Sequence, residues 1–217
     1  MKLPAIILAT TLMTIPAFAS SYGFSDNYEY TDTDGNQTRD NYVGFRIHKN
    51  ENIAFKYRVH GTETTTVRKD NWGFGLLIGN KLSDFAKIEF ETMYTGVQQN
   101  RYNANFDFDV WANMLNFYLF NEYAGAISPY VGLGIGFATI WGDVDTPYAH
   151  MTDSVFDLSY SAMIGVNFAL NDRIDLNLGV KYQYFGEVEH ELHNAEHAIT
   201  DASSTEFFFG AVYKFGL

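Results

Sequence analysis

The chain has 217 residues, a formal net charge of −12 and no cysteine. The lack of cysteine excludes a disulfide scaffold, and the acidity argues against nucleic acid as a partner. Aromatic residues make up 17% of the sequence, with 15 Tyr and 19 Phe. This composition departs from that of an ordinary soluble domain, and the length suffices for one domain.

The first 19 residues have the three parts of a secretory signal peptide. Lys2 supplies a positive charge, residues 3–15 are mostly apolar, and Ala17-Phe18-Ala19 forms an A-x-A cleavage site. We therefore expect cleavage after Ala19 and a single mature domain over residues 20–217. Beyond this leader no run of about 18 apolar residues occurs, so the sequence predicts no membrane-spanning helix.

Apolar and polar residues alternate along most of the mature sequence, which is the pattern of β-strands. In the run 155–170, for example, Phe156 and Leu158 share one face and Asp157 lies on the other. Ten strands are counted if residues 49–51 form a turn, and eight if 20–40 is only an extension and 41–60 is one strand. The alternating runs are 22–31, 41–48, 52–60, 72–82, 86–96, 106–120, 129–141, 155–170, 174–184 and 205–217.

The connections between these runs alternate in length. Short connections at 49–51, 83–85, 121–128 and 171–173 are followed by long polar ones at 32–40, 61–70, 97–105, 142–154 and 187–204. Lipid offers no hydrogen bonds to the backbone, so a sheet can cross a membrane only when it closes on itself. Strands of about 10 residues with short turns at one end are typical of outer-membrane barrels. The sequence predicts an all-β, transmembrane, antiparallel up-and-down β-barrel with ten strands, and eight strands are the alternative.

Two local features modify the alternation. Between Val110 and Leu115 the apolar phase slips, which predicts a β-bulge or a change of tilt. Gly132, Gly134 and Gly136 fall on the inward face of their strand, where we expect them to leave room for bulky neighbours. No helix pattern follows these glycines, so a phosphate-binding loop is not indicated.

Three segments resemble the small outer-membrane β-barrel family of Gram-negative bacteria, which includes the OmpA-like membrane domain and many "porin family" outer membrane proteins. They are GFGLLIGNKLSDFAKIEFE (73–91), SPYVGLGIGFA (128–138) and NFALNDRIDLNLGVKYQYF (167–185). The segment FFGAVYKF (208–215) is similar to the C-terminal signal of that family, although Gly216 and Leu217 follow the usual terminal aromatic residue.

This resemblance implies export through the periplasm to the outer membrane of the cell. The implied partners are outer-membrane lipid, lipopolysaccharide and the barrel-assembly machinery, which would recognise the C-terminal strand 205–217. We expect a monomer that binds neither nucleic acid nor a cofactor.

Charged residues occupy the positions that would face the interior of such a barrel. His48 and Lys87 also lie at inward-facing positions of their strands. In a barrel of this size the interior is nearly filled by side chains, so the charges either pair into a plug or line a narrow pore. The candidate lumen charge network is Arg46, Lys56, Arg58, Glu89, Glu91, Asp157, Asp175, Lys181, Glu206 and Lys214.

Tyr and Trp near the strand ends are expected to form the aromatic girdles at the two membrane interfaces. The predicted girdle residues are Tyr42, Trp72, Tyr94, Trp141, Tyr184 and Tyr213.

The stretch HELHNAEH (190–197) contains H-x-x-E-H, a signature of some zinc hydrolases. If residues 189–199 form a helical turn, His190, His193 and His197 could bind a metal ion and Glu196 could act as a base. No other segment supplies a substrate pocket, so we interpret 187–204 as a solvated outer loop. Metal binding or hydrolysis by this loop is the alternative.

These observations together predict a non-enzymatic integral outer-membrane barrel with no catalytic residues. Its outer loops would support envelope integrity or surface contact. A small diffusion porin for polar or anionic solutes is the alternative function.

Overall fold

The computed structural model describes residues 41–59, 62–101, 104–121, 126–146, 149–192 and 196–215. Within these ranges, side chains are described except at 52–59, 62–69, 97–101, 104–106, 143–146, 149–153, 187–192 and 196–201. The predicted signal peptide, residues 1–19, lies outside the described part of the chain. Among the described residues, none belongs to a helix that is long and apolar enough to cross a membrane.

The described residues form one closed antiparallel barrel in which each strand pairs with its neighbours in the sequence and β1 pairs with β8. The all-β up-and-down barrel predicted from the alternation is therefore confirmed. In chain order the strands are β1 (Asn41–Val59), β2 (Thr62–Ser83), β3 (Ala86–Arg101), β4 (Ala104–Phe120), β5 (Ile127–Thr146), β6 (Ala149–Ala169), β7 (Ile174–Leu192) and β8 (Glu196–Phe215).

The closed barrel that the described residues form has eight strands, so the count of ten was wrong and the alternative of eight is correct. The predicted turn at 49–51 lies inside β1, whose pairing with β2 shifts register between Asn50 and Ile53. A β-bulge of this kind interrupts the alternation without ending the strand, which made one strand resemble two. The other additional candidate strand in the count of ten, 22–31, lies outside the described residues.

The outer wall of the barrel is apolar. On β5 the alternate residues Val131, Leu133, Ile135 and Phe137 are about half to two-thirds exposed. The residues between them are the inward-facing glycines, and the buried Ala138 follows Phe137. Such a surface would be unstable in water over a complete barrel, and it matches the lipid-facing band of a membrane barrel.

The strands are longer than a membrane requires. They have between 16 and 22 residues, whereas about 9–11 residues are enough to cross the hydrocarbon core. The apolar wall begins directly at the short turns, where Leu82, Phe85, Leu119 and Leu170 are exposed. The additional length therefore lies at the opposite end of the barrel.

Most of the predicted long polar loops are part of the strands. Strands β5 and β6 stay paired as far as Thr146 and Ala149, and β7 and β8 as far as Leu192 and Glu196. The prediction of loops at 61–70, 97–105, 142–154 and 187–204 was wrong for this reason. Backbone pairing in a hairpin does not require an apolar face, so a ribbon with water on both sides can be polar throughout.

Candidate functional site

The interior of the barrel contains a cluster of charged side chains that is closed off from solvent. Its members come from alternate positions of β1, β3, β7 and β8, and each is at most 2% exposed. We call this set the lumen network. Its members are Arg46, His48, Glu89, Glu91, Lys181 and Glu206.

Arg46 is paired with two carboxylates. Its Nη1 lies 2.6 Å from Glu89 Oε1 and its Nη2 lies 3.0 Å from Glu89 Oε2. The same Nη1 lies 3.1 Å from Glu91 Oε2, and Nε donates to Asn177 Oδ1 at 3.2 Å. The guanidinium thus makes a two-pronged contact with Glu89, the geometry in which Arg binds carboxylates most strongly.

His48 and Lys181 connect the rest of the network. The ring of His48 has Nδ1 3.0 Å from Glu206 Oε2 and Nε2 3.1 Å from Glu91 Oε1. Lys181 Nζ lies 3.0 Å from Glu206 Oε2 and 3.8 Å from Glu91 Oε2. Each of these two carboxylates is therefore shared by at least two basic side chains.

Glycine on β2 allows β1 and β3 to meet across the intervening strand. A Cβ atom at Gly75 would lie 2.9 Å from Glu91 Oε1 and 3.3 Å from His48 Nε2. Any larger residue at this position would separate the two side chains. The sequence therefore places a residue without a side chain where the network crosses β2.

Three tyrosine rings surround the ammonium group of Lys87 in the half of the lumen near the short turns. The Nζ atom lies 4.7 Å from the ring centre of Tyr118, 5.3 Å from that of Tyr130 and 5.4 Å from that of Tyr42. The hydroxyl groups of Tyr118 and Tyr42 donate to Glu89 at 2.8 and 3.2 Å. This cation–π contact joins the tyrosines to the lumen network.

The assignment of Tyr42 to the membrane girdle was wrong. Tyr42 is only 5% exposed and points into the barrel, because Val43, Phe45 and Ile47 occupy the outward positions of β1. Trp72, in contrast, is 65% exposed on the outer wall, and Lys49 Nζ lies 5.4 Å from its ring centre.

Inward glycines provide the space for the buried tyrosines. A Cβ atom at Gly132 would lie 2.6 Å from Cδ1 of Tyr118, and one at Gly165 would overlap the hydroxyl of Tyr130. The prediction that Gly132 leaves room for a bulky neighbour is confirmed. Gly136 instead approaches the backbone of β4 at Asn113.

A layer of apolar side chains lies inside the barrel beyond the lumen network, farther from the short turns. No β-bulge or register shift occurs along β4, so the predicted bulge between Val110 and Leu115 was wrong, and the alternative of a change of tilt stays a prediction. The apolar phase changes between Val110 and Leu115 because the inward positions of β4 are also apolar there. The buried layer consists of Met93, Val110, Ala112, Met114, Ala138, Ile140, Phe185 and Ala202.

Two other candidates of the predicted charge network, Lys214 and Asp175, pair with each other. Lys214 Nζ lies 2.9 Å from Asp175 Oδ1 in a separate pair that is partly exposed. Asp157 lies beside Gly186, which has a φ of 120°. Lys56 and Arg58 belong to β1, but their side chains lie outside the described part of the structure.

The His-rich stretch does not form the helical turn that a shared metal site was expected to use. His190 is opposite Ala198 in the β7–β8 hairpin, and His197 is opposite Glu191. His193 lies outside the described residues, as do the side chains of His190, Glu196 and His197, so metal binding there stays a prediction. Within the described part of the chain, no group of three His, Asp or Glu residues is arranged to hold a metal ion.

The alternation identified the inward face of β1, β3, β5 and β7, but two features of the site were missed. His48 and Lys87 were placed inside without a role, and the apolar layer was not anticipated. The inward positions Ala112 and Met114 carried a signal for that layer, because polar residues are absent there. In chemical terms the lumen network is a set of buried charges whose desolvation is offset by mutual pairing.

Comparison with known proteins gives a family match and several similar folds. The family described as outer membrane protein beta-barrel domain matches residues 5–215. OprG from Pseudomonas aeruginosa has a TM-score of 0.61 and 14% identity over 83% of this chain and 98% of OprG. Neisserial surface protein A has a TM-score of 0.55 and 16% identity over 81% of this chain and 97% of its own. At these identities the structures are evidence of a shared fold alone, and the sequence matches no curated protein.

Proposed function

Since this chain belongs to the outer membrane protein beta-barrel domain family, we propose that it is a non-enzymatic barrel with a closed interior that acts through its outer hairpins. It is located in the outer membrane, where barrels have short turns on the periplasmic side and longer segments outside. The proposed role is to support the integrity of the envelope or to make contacts at the cell surface.

The observation that carries this proposal is the complete burial of the lumen network. Its six side chains are at most 2% exposed, and they hydrogen-bond to one another rather than line an open channel. The apolar layer around Met93 and Met114 fills the lumen on the outer side of the network. Solute passage would require both layers to separate, so a diffusion pore is the weaker function for this interior.

The length of the strands supports a role outside the membrane. Strands of up to 22 residues extend the barrel well beyond the hydrocarbon core at the end that carries the long hairpins. Segments that a membrane span does not need are available for contact with other molecules.

Planar-bilayer recording tests the closed interior. The refolded barrel, with folding confirmed by its heat-dependent migration in a gel, should give no steady conductance. A general porin incorporated into the same bilayers serves as the detection control. A steady conductance whose ion selectivity changes in the Glu89→Gln variant would show that the protein is a pore lined by the lumen network.

A complementation experiment tests the role of the hairpins. In one variant residues 188–200 are replaced by Asn-Gly, which closes the β7–β8 hairpin directly after the paired residues Glu187 and Asp201. We expect the trimmed barrel to assemble normally but to leave cells as sensitive to detergents, or as poor in surface attachment, as cells lacking the protein. If barrels trimmed at all four long hairpins complement fully, the hairpins do not have this role.

Lipopolysaccharide is the proposed partner of the outer surface, and the barrel-assembly machinery is the proposed partner of strand 205–217 during insertion. The outer segments 142–154 and 187–204 together carry eight acidic residues and no Lys or Arg, so they would repel lipopolysaccharide phosphates unless divalent cations bridge the two. The melting temperature of the barrel in lipopolysaccharide should therefore fall when a chelator removes Mg²⁺. The melting temperature in a phospholipid without lipopolysaccharide is the control and should not change with the chelator. If the melting temperature in lipopolysaccharide is also unchanged, divalent cations do not bridge the barrel to lipopolysaccharide.

A further inference from the structure

Both ring nitrogens of His48 are occupied by carboxylates. Nδ1 lies 3.0 Å from Glu206 Oε2 and Nε2 lies 3.1 Å from Glu91 Oε1, and the side chain is fully buried. An ionised carboxylate can only accept hydrogen bonds, and a neutral imidazole carries one N–H. Both contacts can be hydrogen bonds only if a second proton is present, either on His48 or on one of the two carboxyl groups.

The neighbours of the two carboxylates favour the imidazole as the place of this proton. Glu206 already accepts a hydrogen bond from Lys181 Nζ at 3.0 Å. Glu91 faces Arg46 Nη1 at 3.1 Å and Lys181 Nζ at 3.8 Å. These donors stabilise the charged form of each carboxylate, so the shared proton belongs on His48.

The sum of the charges around His48 also favours a protonated imidazole. Arg46 from its own strand and Lys181 from β7 contribute two positive charges, and Glu89 and Glu91 from β3 and Glu206 from β8 contribute three negative ones. Strand β2 faces the ring with Gly75, which carries no charge. A protonated His48 therefore makes the lumen network neutral.

Two other charged groups of the lumen are already engaged elsewhere. Lys87 lies in the ring of tyrosines, and Lys214 is paired with Asp175. His48 also has an aromatic neighbour, Phe208, whose ring centre lies 6.0 Å away and whose side chain has no oxygen or nitrogen atom to accept a hydrogen bond. The two carboxylates are thus the partners of the imidazole.

We propose that the lumen network is a proton-binding site in which His48 is an imidazolium held between Glu91 and Glu206. The bound proton joins the β1, β3 and β8 portions of the network. When it is lost to solvent at alkaline pH, one of the two carboxylates loses its hydrogen bond from His48 and the network becomes negatively charged. The closed interior then depends on occupancy by a proton, a property separate from any role of the outer hairpins.

Nitrogen-15 NMR of the histidine rings tests this directly in the full barrel. The other histidines, His60, His150, His190, His193 and His197, are replaced by Gln so that only His48 gives signals. We expect two protonated ring nitrogens at pH 8 in the folded barrel. The same chain unfolded in urea should show one protonated ring nitrogen, because a free imidazole has a pKa of about 6.5. A single protonated nitrogen in the folded barrel at pH 8 would refute the proposal.

The dependence of stability on pH gives a second, independent measurement. The folded barrel holds a proton that the unfolded chain has released, so its stability must fall as pH rises from 7 to 9. In His48→Gln this part of the pH dependence should disappear, and the difference between the two barrels removes the contributions of other groups. Parallel pH profiles for the two proteins would overturn the proposal.

A matched double variant distinguishes loss of the proton from loss of packing. Changing His48→Gln alone leaves three carboxylates and two cations, whereas adding Glu91→Gln leaves the pairs Arg46–Glu89 and Lys181–Glu206 balanced. The double variant should regain much of the unfolding midpoint that His48→Gln loses and keep a flat pH profile. If the double variant is less stable than His48→Gln alone, charge balance is not the role of the proton.

Discussion

Arg46 and Glu89 meet through two nearly parallel hydrogen bonds although they belong to strands that are not adjacent. The Nη1–Oε1 distance is 2.6 Å and the Nη2–Oε2 distance is 3.0 Å, and both side chains are excluded from solvent. This contact crosses β2 and ties one side of the barrel interior to another. Its strength depends on burial, since the same pair on a surface would contribute little.

Removing one partner of this pair should strongly destabilise the barrel. In Glu89→Ala the Arg46 guanidinium remains buried with less compensation, and such a loss costs about 3–5 kcal/mol. Removing both partners leaves no unpaired charge from this contact, so Arg46→Ala/Glu89→Ala should lose less than the sum of the single variants. Urea unfolding of the barrel in lipid, followed by tryptophan fluorescence, measures all three free energies.

The matched control for these single and double variants is the partly exposed pair between Lys214 and Asp175, whose side chains are 25% and 19% exposed. Solvent screens such a pair, so Lys214→Ala should cost about 1 kcal/mol or less. Two results would mean that burial does not set the energy of the Arg46–Glu89 pair. One is that the losses in Arg46→Ala and Glu89→Ala simply add in the double variant, and the other is that Lys214→Ala loses as much stability as Glu89→Ala.

The sequence predicted the faces of the strands well because side chains alternate strictly along a strand. Phe45 and Leu133 point out, and Glu89 and Lys181 point in, as the alternation required. Which inward residues meet was not predictable, because contacts across a lumen depend on strand stagger and on the number of strands. The β-bulge after Asn50 made that number appear larger in the sequence.

The same limitation explains the errors at the site. Tyr42 was assigned to an interface because of its residue type and its position near a strand end, although its place in the alternation directs it inward. The apolar inward positions Ala112 and Met114 contradict the simple pattern of apolar outside and polar inside. Such positions can be recognised only when the neighbouring strands are known to supply a matching apolar surface.

Replacing Gly132 should destabilise the barrel through overpacking. A Cβ atom there would lie 2.6 Å from Cδ1 of Tyr118 and 2.9 Å from Cγ of Met163. Because the tyrosine ring is held in place by its contacts with Glu89 and Lys87, we expect Gly132→Ala to cost about 1–3 kcal/mol. The outward substitution Ala162→Val is the control and should leave the unfolding midpoint nearly unchanged. A neutral Gly132→Ala would show that Tyr118 is free to move.

Charged residues on the outer wall should destabilise the barrel according to their depth in the membrane. Leu133 is 68% exposed in the middle of its apolar run, whereas Leu170 is 60% exposed beside a short turn. Leu133→Arg should cost about 2–4 kcal/mol and Leu170→Arg about 0–1 kcal/mol, because the cost of a charge falls towards the interface. Similar losses for the two variants would contradict the assignment of this wall to lipid.

Two phenylalanines allow the internal apolar layer to be compared with the outer wall. Phe185 is fully buried inside the barrel, and Phe156 is 68% exposed on the outer surface, where its ring centre lies 5.1 Å from that of Phe137. Phe185→Ala opens a cavity and should cost about 3–5 kcal/mol. Phe156→Ala removes mainly one ring contact, because lipid fills the vacated space. It should lower the free energy of unfolding by only about 0.5–1.5 kcal/mol.

Unfolding midpoints of the two variants in the same lipid measure this difference. Phe185→Ala should also increase the penetration of a small aqueous quencher into the lumen, whereas Phe156→Ala should not. If Phe156→Ala is the more damaging change, the outer wall at this height is packed against protein rather than lipid. If Phe185→Ala is harmless, the apolar layer does not close the outer end of the lumen, and the burial of the lumen network must then depend on the ion pairs and the tyrosines alone.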